Sequence, residues 1–400
     1  MRASGVLQKC LSDSLEPMHQ ARSRVLMHAV EALVAGRRLT LMDVARSWPG
    51  AERVRAPLKA FDRLLSNRHL HGEREQVYAG MARWLLRSAQ PVIVVDWSDL
   101  KPDKSWCLLR AAVPVGGRTL PVLDMVFAGT EAGSPAAEQR FLQRLQQVVP
   151  ETAKPTLVTD AGFRRPWFRA VDAMGWQWLG RLRHRTMVKP VDAHGEDDWV
   201  PSRALYALLD HGTRDMGLMD TVQAHPWTCR VVLHRKPAKG RKHLNLKGVP
   251  RRGKQSRKSA AGQREPWLLV ASPSLGLSAC QIVHLYARRM QIELSFRDLK
   301  SHRYGNAFED SLTRSGTRIG ILLLVHALAN FASWLAGMVC RATGLDTWLA
   351  PSVRQRRCYS IMRIGREALV RAWPMERTCL WLRRLHALTS DVLRQTAALA

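Results

Sequence analysis

Acidic residues are scarce in this 400-residue chain: 33 Asp and Glu stand against 62 Lys and Arg, a formal net charge of +29. A field of that sign repels basic partners and draws polyanions, nucleic acid first and an anionic membrane surface second. Cysteine is sparse too. The seven (Cys10, Cys107, Cys229, Cys280, Cys340, Cys358 and Cys379) are scattered and nowhere spaced Cys-x-x-Cys, which argues against a zinc ribbon and a disulfide framework. Reduced thiols make the cytoplasm the expected compartment. The opening MRASGVLQKCLSDS has no apolar core, so no secretory signal is expected. Long hydrophobic runs are nearly absent as well. One stretch does mimic a span: Ile319–Cys340 is a mostly apolar run without Asp, Glu, Lys or Arg over 22 residues, enough to cross a bilayer. It contains His326, Asn330 and Ser333 and has no second span beside it, so a buried core helix is expected and no membrane. There is no internal repeat. The whole chain, 46% hydrophobic and 24% charged, is globular in composition, which excludes a disordered basic tail as the entire protein. Its length predicts roughly two or three domains.

Residues 1 to about 85 carry apolar positions at helical spacing. Thr40 is placed to cap a helix LMDVARSW that ends at Pro49-Gly50, and a basic helix Val54–Leu65 with Arg55, Lys59 and Arg63 follows. Such a pair fits a helix-turn-helix DNA reader, and a plain three-helix bundle equally. From Pro91 the texture becomes mixed. Val92-Ile93-Val94-Val95 is an unbroken β-branched run ending in Asp96, and Thr156-Leu157-Val158-Thr159 ends in Asp160. Strands are expected near Trp106–Val113, Pro121–Phe127 and Trp176–Arg181, with helices from about Ala136 to Val149 and from Pro166. Residues 182 to about 275 read as a β-rich insertion around a basic loop. Eleven Lys and Arg and no acid lie between Arg235 and Lys258, the mark of a phosphate-binding loop or of a solvated charge run. Beyond Ser278 the pattern is helical.

Chemistry concentrates in YARRMQIELSFRDLK, Tyr286 to Lys300. Read as one helix at about 100° per residue, Tyr286, Arg289, Glu293, Arg297 and Lys300 fall in a stripe roughly 80° wide. Leu285, Ile292, Phe296 and Leu299 form a separate apolar stripe. One face thus docks on a core while another sets a carboxylate among cations; a surface helix with Glu293–Arg289 and Glu293–Arg297 pairs has the same pattern. Asp96 and Asp160, each at a strand end, suit turn or cap roles taken singly. Taken with Glu293 they make three carboxylates in a basic chain, and Mg2+ favours a few carboxylates plus phosphate oxygens. Two such ions about 4 Å apart serve in-line phosphoryl displacement.

The segment matches a Y-(2)-R-(3)-E-(6)-K signature as Tyr286, Arg289, Glu293 and Lys300. With VDWSDL around Asp96 and VTDAGF around Asp160, the chain resembles the insertion-sequence transposases of family four, bacterial DDE enzymes. NRHLHGER (Asn67–Arg74), EPWLLVAS (Glu265–Ser272) and RMQIELSFRDLKSHRYG (Arg289–Gly305) extend the likeness over nearly the whole chain. The resemblance implies an α/β fold: an RNase H-like mixed-sheet catalytic core at 89–340 with the β-rich insertion at about 182–275. Helical regions flank it, an end-binding domain at 1–88 and a C-terminal region at 341–400. It implies that Asp96, Asp160 and Glu293 bind two Mg2+ ions, with Mn2+ able to substitute, and cut double-stranded DNA at inverted-repeat ends through a hairpin. Joining to target DNA follows. It further implies phosphate contacts from Tyr286, Arg289, Arg297 and Lys300, a base-stacking Trp267 with Met290 as wedge, and a homodimer that pairs two ends on the nucleoid. Arg354, Arg356 and Arg357, in an apolar helical pattern, suit a dimerisation and DNA-contact region or a plain helical cap. Two rivals remain. A non-catalytic helix-turn-helix protein leaves the carboxylates idle, and an RNase H-like endonuclease cuts without strand transfer.

If the helices near 40–66 read the DNA end, Arg55→Ala or Lys59→Ala weakens end binding and lowers the salt slope by about one each. A titration across salt concentrations measures it, and an unchanged slope moves the reader elsewhere.

Overall fold

A computed structural model describes residues 2–183, 186–193, 195, 198–237, 245, 248–251, 253, 254, 256, 265–349 and 359–373. They divide into two compact units, one from 1–155 and 289–399, the other from 156–288. The first begins with helices α1 (Ala3–Cys10), α2 (Ser12–Leu15), α3 (Gln20–Gly36), α4 (Leu41–Arg46), α5 (Arg55–Leu65) and α6 (Arg68–Leu85). Thr40 caps α4 as its sequence predicts, its hydroxyl accepting the Asp43 N–H at 3.1 Å. Arg55 and Lys59 lie exposed on α5, while Phe61, Leu64 and Leu65 face inward. Strands β1 (Val92–Asp99), β2 (Trp106–Pro114) and β3 (Thr119–Ala128) follow as an antiparallel meander, then α7 (Pro135–Val148), capped by Ser134.

The second unit is a mixed sheet. Its strands are β4 (Thr156–Val158), β5 (Gln177–Leu182), β6 (Met187–Pro190), β7 (Val200–Pro201), β8 (Gly212–Thr221), β9 (Trp227–Arg235) and β10 (Trp267–Ala271). Helix α8 (Arg165–Ala173) joins β4 to β5, which run parallel, and α9 (Ala279–Ala287) follows β10. The order is β4-β5-β10-β9-β8-β6-β7, antiparallel beyond β5. The strand-like pieces at Thr228–Leu233 and Trp267–Ala271 fall in β9 and β10. The sequence did not announce β8: its residues GTRDMGLMDT are mostly exposed, and a bulge at Asp215/Gly217 breaks their alternation. Most of the basic stretch 235–264, and Arg354, Arg356 and Arg357, lie outside the described residues.

The chain then returns to the first unit with α10 (Met290–Lys300), α11 (Gly316–Thr343) and α12 (Ile361–Val370). Helix α11 contains the charge-free run, and 94% of its most apolar window is buried inside the structure, as a core helix requires. It touches α3, α6, α12 and β3. Gly365 of α12 meets it so closely that a Cβ there would overlap the Ser333 carbonyl, so only glycine fits. Beneath it, Arg110 of β2 is fully buried and donates from Nε and Nη2 to Asp124 of β3, both at 2.7 Å. That bidentate pair satisfies two charges the core could not otherwise hold.

Two expectations need correction. The strand does not stop at Asp96: it runs on to Asp99, with Asp96 opposite Arg110 on β2. Pairing continues because the partner strand is longer than the apolar run that suggested it. The segment Tyr286–Lys300 is two helices, not one. At Arg288 and Arg289 the backbone stays right-handed, but the Arg288 N–H bonds to the Leu285 carbonyl at 3.1 Å, a tightened turn that interrupts the i→i−4 ladder.

His326, fully buried in α11, has its pKa pushed down to about 3, first by burial and then by Arg110. The unfolded chain therefore binds one more proton than the native one below the imidazole's ordinary 6.5. Stability falls by about 1.4 kcal/mol per pH unit from there towards 3. Urea unfolding at pH 7 and 5 measures this, and His326→Gln should flatten the slope by that amount.

Candidate functional site

Ile93, Val94 and Val95 of β1 are all fully buried, so both faces of the strand are covered there, and Asp96, next along, is 9% exposed at the site's edge. Its Oδ1 accepts the Trp97 N–H at 2.9 Å. Across from it stands α10, whose Ile292, Phe296 and Leu299 are buried while Glu293 and Arg297 are exposed. Three polar contacts fix this helix to the β2–β3 turn. Gln291 accepts the Gly117 N–H at 2.9 Å, Ser295 accepts the Thr119 N–H at 2.8 Å, and Asp298 pairs with Arg118. Gly116 and Gly117, at φ 83° and 96°, let the turn close there.

Between strand and helix lies Arg289. Its Nη1 donates to Asp96 Oδ2 at 3.1 Å and its Nη2 to Glu293 Oε1 at 2.6 Å, so one guanidinium bridges the two carboxylates. Among the described residues the alternative Glu293–Arg297 pair is not formed. Arg297 instead joins Asp96, Glu293 and Lys300 in the wall of an open cavity of about 550 Å³. The Lys300 ammonium is held at this wall by the Asp99 carbonyl, 3.1 Å away. Met290 is 46% exposed, its sulfur 3.7 Å from the Arg289 guanidinium.

Five of the expected residues thus gather in the first unit: Asp96, Arg289, Glu293, Arg297 and Lys300. Asp160, Tyr286 and Trp267 belong to the second. Asp160 follows β4 by two residues and accepts the Gly162 N–H at 2.7 Å, the turn role that an Asp after a strand commonly takes. Tyr286, buried, meets Trp267 edge-on at 5.1 Å. Trp267 is half-buried and carries the Lys236 ammonium 3.9 Å over its ring. His234, 5.7 Å from the Trp267 ring, has its pKa lowered by burial and then by Lys236.

Sequence reasoning missed Trp97, Ser98, Ser301 and Glu309 in the first cavity's wall. Ser98 was findable: two residues on from Asp96 in one strand, it shares that face. Ser301 caps the end of α10 and Glu309 lies in a single 3-10 turn, Phe308–Asp310, both too short for periodicity to mark.

The donors suit a hard divalent cation in kind. Asp96 and Glu293 offer only carboxylate oxygens and already close on one cation, the Arg289 guanidinium. Among the described residues, neither unit by itself gathers three Asp, Glu, His or Cys around one point.

A family model described as a transposase DDE domain matches residues 87–329. A comparison with curated proteins finds no match. Among solved structures, a cryo-EM structure of a piggyBac transposase synaptic complex with hairpin DNA is 11% identical. It covers 98% of this chain and 78% of its own at a TM-score of 0.39, a likeness too loose to carry argument.

Replacing Arg289 by Met removes one charged partner of the buried Asp96 carboxylate and of the exposed Glu293, at a cost of about 1–3 kcal/mol, most of it at Asp96. Urea unfolding reads the loss, and adding Asp96→Asn and Glu293→Gln should recover most of it.

Proposed function

We infer, from a chain that belongs to the transposase DDE-domain family, that the carboxylate–arginine cavity is a DNA-cutting and DNA-joining centre of the family-four insertion-sequence type. The observation that carries this reading is the Arg289 bridge. A strand and a helix distant in sequence bring Asp96 and Glu293 to one guanidinium, in a cavity rimmed by Arg297 and Lys300.

Asp96, Asp160 and Glu293 would hold two Mg2+ ions, with Mn2+ able to substitute. When bound, these supply Lewis-acid charge at the scissile phosphate and its leaving oxygen. The chain's own residues do the rest. Arg289 keeps two like charges facing one another instead of apart, so the acidic centre is formed before DNA arrives. Arg297 and Lys300 offer cations to backbone phosphates, and the carbonyl of Asp99 fixes where the Lys300 ammonium stands. Tyr286 adds a hydroxyl donor for a phosphate.

The reaction we propose is cut-and-paste transposition on double-stranded DNA. Water displaces the 3′ oxygen at the element's end; the freed 3′-OH attacks the opposite strand and forms a hairpin. A second water opens the hairpin, and the 3′-OH then attacks target DNA. Each step makes one P–O bond and breaks one, so no protein–DNA bond is needed. Trp267 would receive a base displaced by the bend, with Met290, exposed beside Arg289, entering the gap. Residues 1–88 would bind the inverted repeats and 341–400 would support a homodimer holding two ends.

Asp96→Asn, Asp160→Asn or Glu293→Gln should abolish nicking of end-bearing DNA in Mg2+ while leaving end binding near normal. Denaturing gels of the products decide between readings. Hairpins and joined products support transposition, nicks alone leave an endonuclease, and binding without cleavage removes the catalytic role altogether.

A further inference from the structure

A second cavity, of about 760 Å³, opens within the second unit and has no part in the chemistry above. Its size falls inside the ~300–1,000 Å³ range of small-ligand sites. Its wall includes Arg164, Arg165, Arg169, Arg181 and Arg183, and no carboxylate lines it among the described residues. Glu265 offsets part of this charge from behind, pairing with Arg181 at 3.2 Å and lying 3.8 Å from Arg183. Arg164, Arg165 and Arg169 make no ion pair among the described residues. The side chain of Arg181 is more than nine-tenths buried, yet its Nε–H has no partner among the described residues. A buried donor of that kind costs stability unless a ligand satisfies it.

Two further features define what would fit. The N-terminus of α8 opens here, with Arg164 as a cap residue that gives no side-chain bond; Pro166 carries no N–H, so the Arg165 N–H and the helix dipole add the positive potential. The other wall is aromatic. Trp227 stacks on Phe168 at 5.6 Å and 14° and on Trp178 at 4.7 Å and 29°. Phe168 and Trp178 are themselves only 4.6 Å apart, so both lie on the same side of the Trp227 ring. Its other face has no aromatic partner among the described residues, and Trp227 lines the cavity.

We propose that this cavity captures an unpaired nucleotide of a DNA strand, its base on the open face of Trp227 and its phosphates on the arginines and the α8 N-terminus. Phosphate accounts for the unpaired cations, and a flat π-system accounts for the indole. In a duplex the base faces are stacked on their neighbours and cannot reach such a wall, so the strand must be open at that point. The choice of DNA over a free nucleotide rests on the transposase reading.

The test uses the full chain and a fluorescein-labelled dT12 with one 5-iodouracil, against a duplex of equal length. Irradiation of the wild-type complex should give an adduct on the peptide holding Trp227. In anisotropy, Arg165→Glu with Arg169→Glu, both on the α8 surface, should weaken single-strand binding at least tenfold and duplex binding much less. Adducts confined to other aromatics, or single-strand affinity unchanged in the double variant, overturn the proposal. So does full displacement by dAMP or inorganic phosphate at matched phosphate concentration, which makes this a mononucleotide or phosphate site. The two readings fail separately. Glu293→Gln tests cutting and leaves strand capture intact, whereas a wild-type chain that binds neither DNA form overturns both.

Discussion

Hiding one charge-free stretch from water is the constraint on which the first unit depends. Ile319–Cys340 cannot face solvent, and each Leu, Ile or Phe it buries is worth roughly 1.5–3 kcal/mol. Helices α3, α6 and α12 and strand β3 converge on α11 for this reason. Polar groups caught in that core are answered internally. Ser333 donates to the Ala329 carbonyl at 2.7 Å, Asn330 bonds the His326 ring at 3.0 Å, and Arg110 takes Asp124. With β3 held in place, the β2–β3 turn offers Gly117 and Thr119 to α10, and α10 then presents Glu293 to Asp96 across Arg289. The site is a late consequence of packing, several steps removed from the residues that drive it.

Much of this was legible from the chain alone. β-branched runs announced β1 and β4, a cap announced α4, and the absence of charge announced α11. The carboxylates stood out because acids are rare in so basic a sequence. What escaped follows from weaker signals. Strand β8 has few buried residues, so the two-residue period had nothing to mark it. The break at Arg288 and Arg289 falls inside good helix formers, where propensity is silent and only a hydrogen-bond shift records it. Arg289 was read as one cation in a stripe, yet it ties α10 to β1, a pairing between residues 193 positions apart that no local pattern contains. The arginine cavity of the second unit draws on residues from α8, β5 and the β8–β9 hairpin, which are brought together only by the sheet.

The two units use the chain's positive charge in opposite ways. In the first, arginine and lysine surround acids, so the net field is modest and the geometry is exact in direction: each Nη of Arg289 has its own carboxylate. In the second, arginines meet at a wall without acids, and only Glu265 stands behind it. The proposed centre for small cations and the proposed site for phosphate would need these contrasting arrangements, although both would act on one polymer.

The first unit is discontinuous, and that has a consequence for how the protein is made. Strands β1–β3 emerge from the ribosome early, but Glu293, Arg289 and the helix that fills their core are synthesised only after the whole of 156–288. Until then the meander keeps an uncovered apolar face, and its native contacts are long-range ones that form slowly. A truncated or unfinished chain therefore lacks both a stable core and half of its carboxylate pair. The Arg289 bridge between Asp96 and Glu293 can close only at a late point in translation.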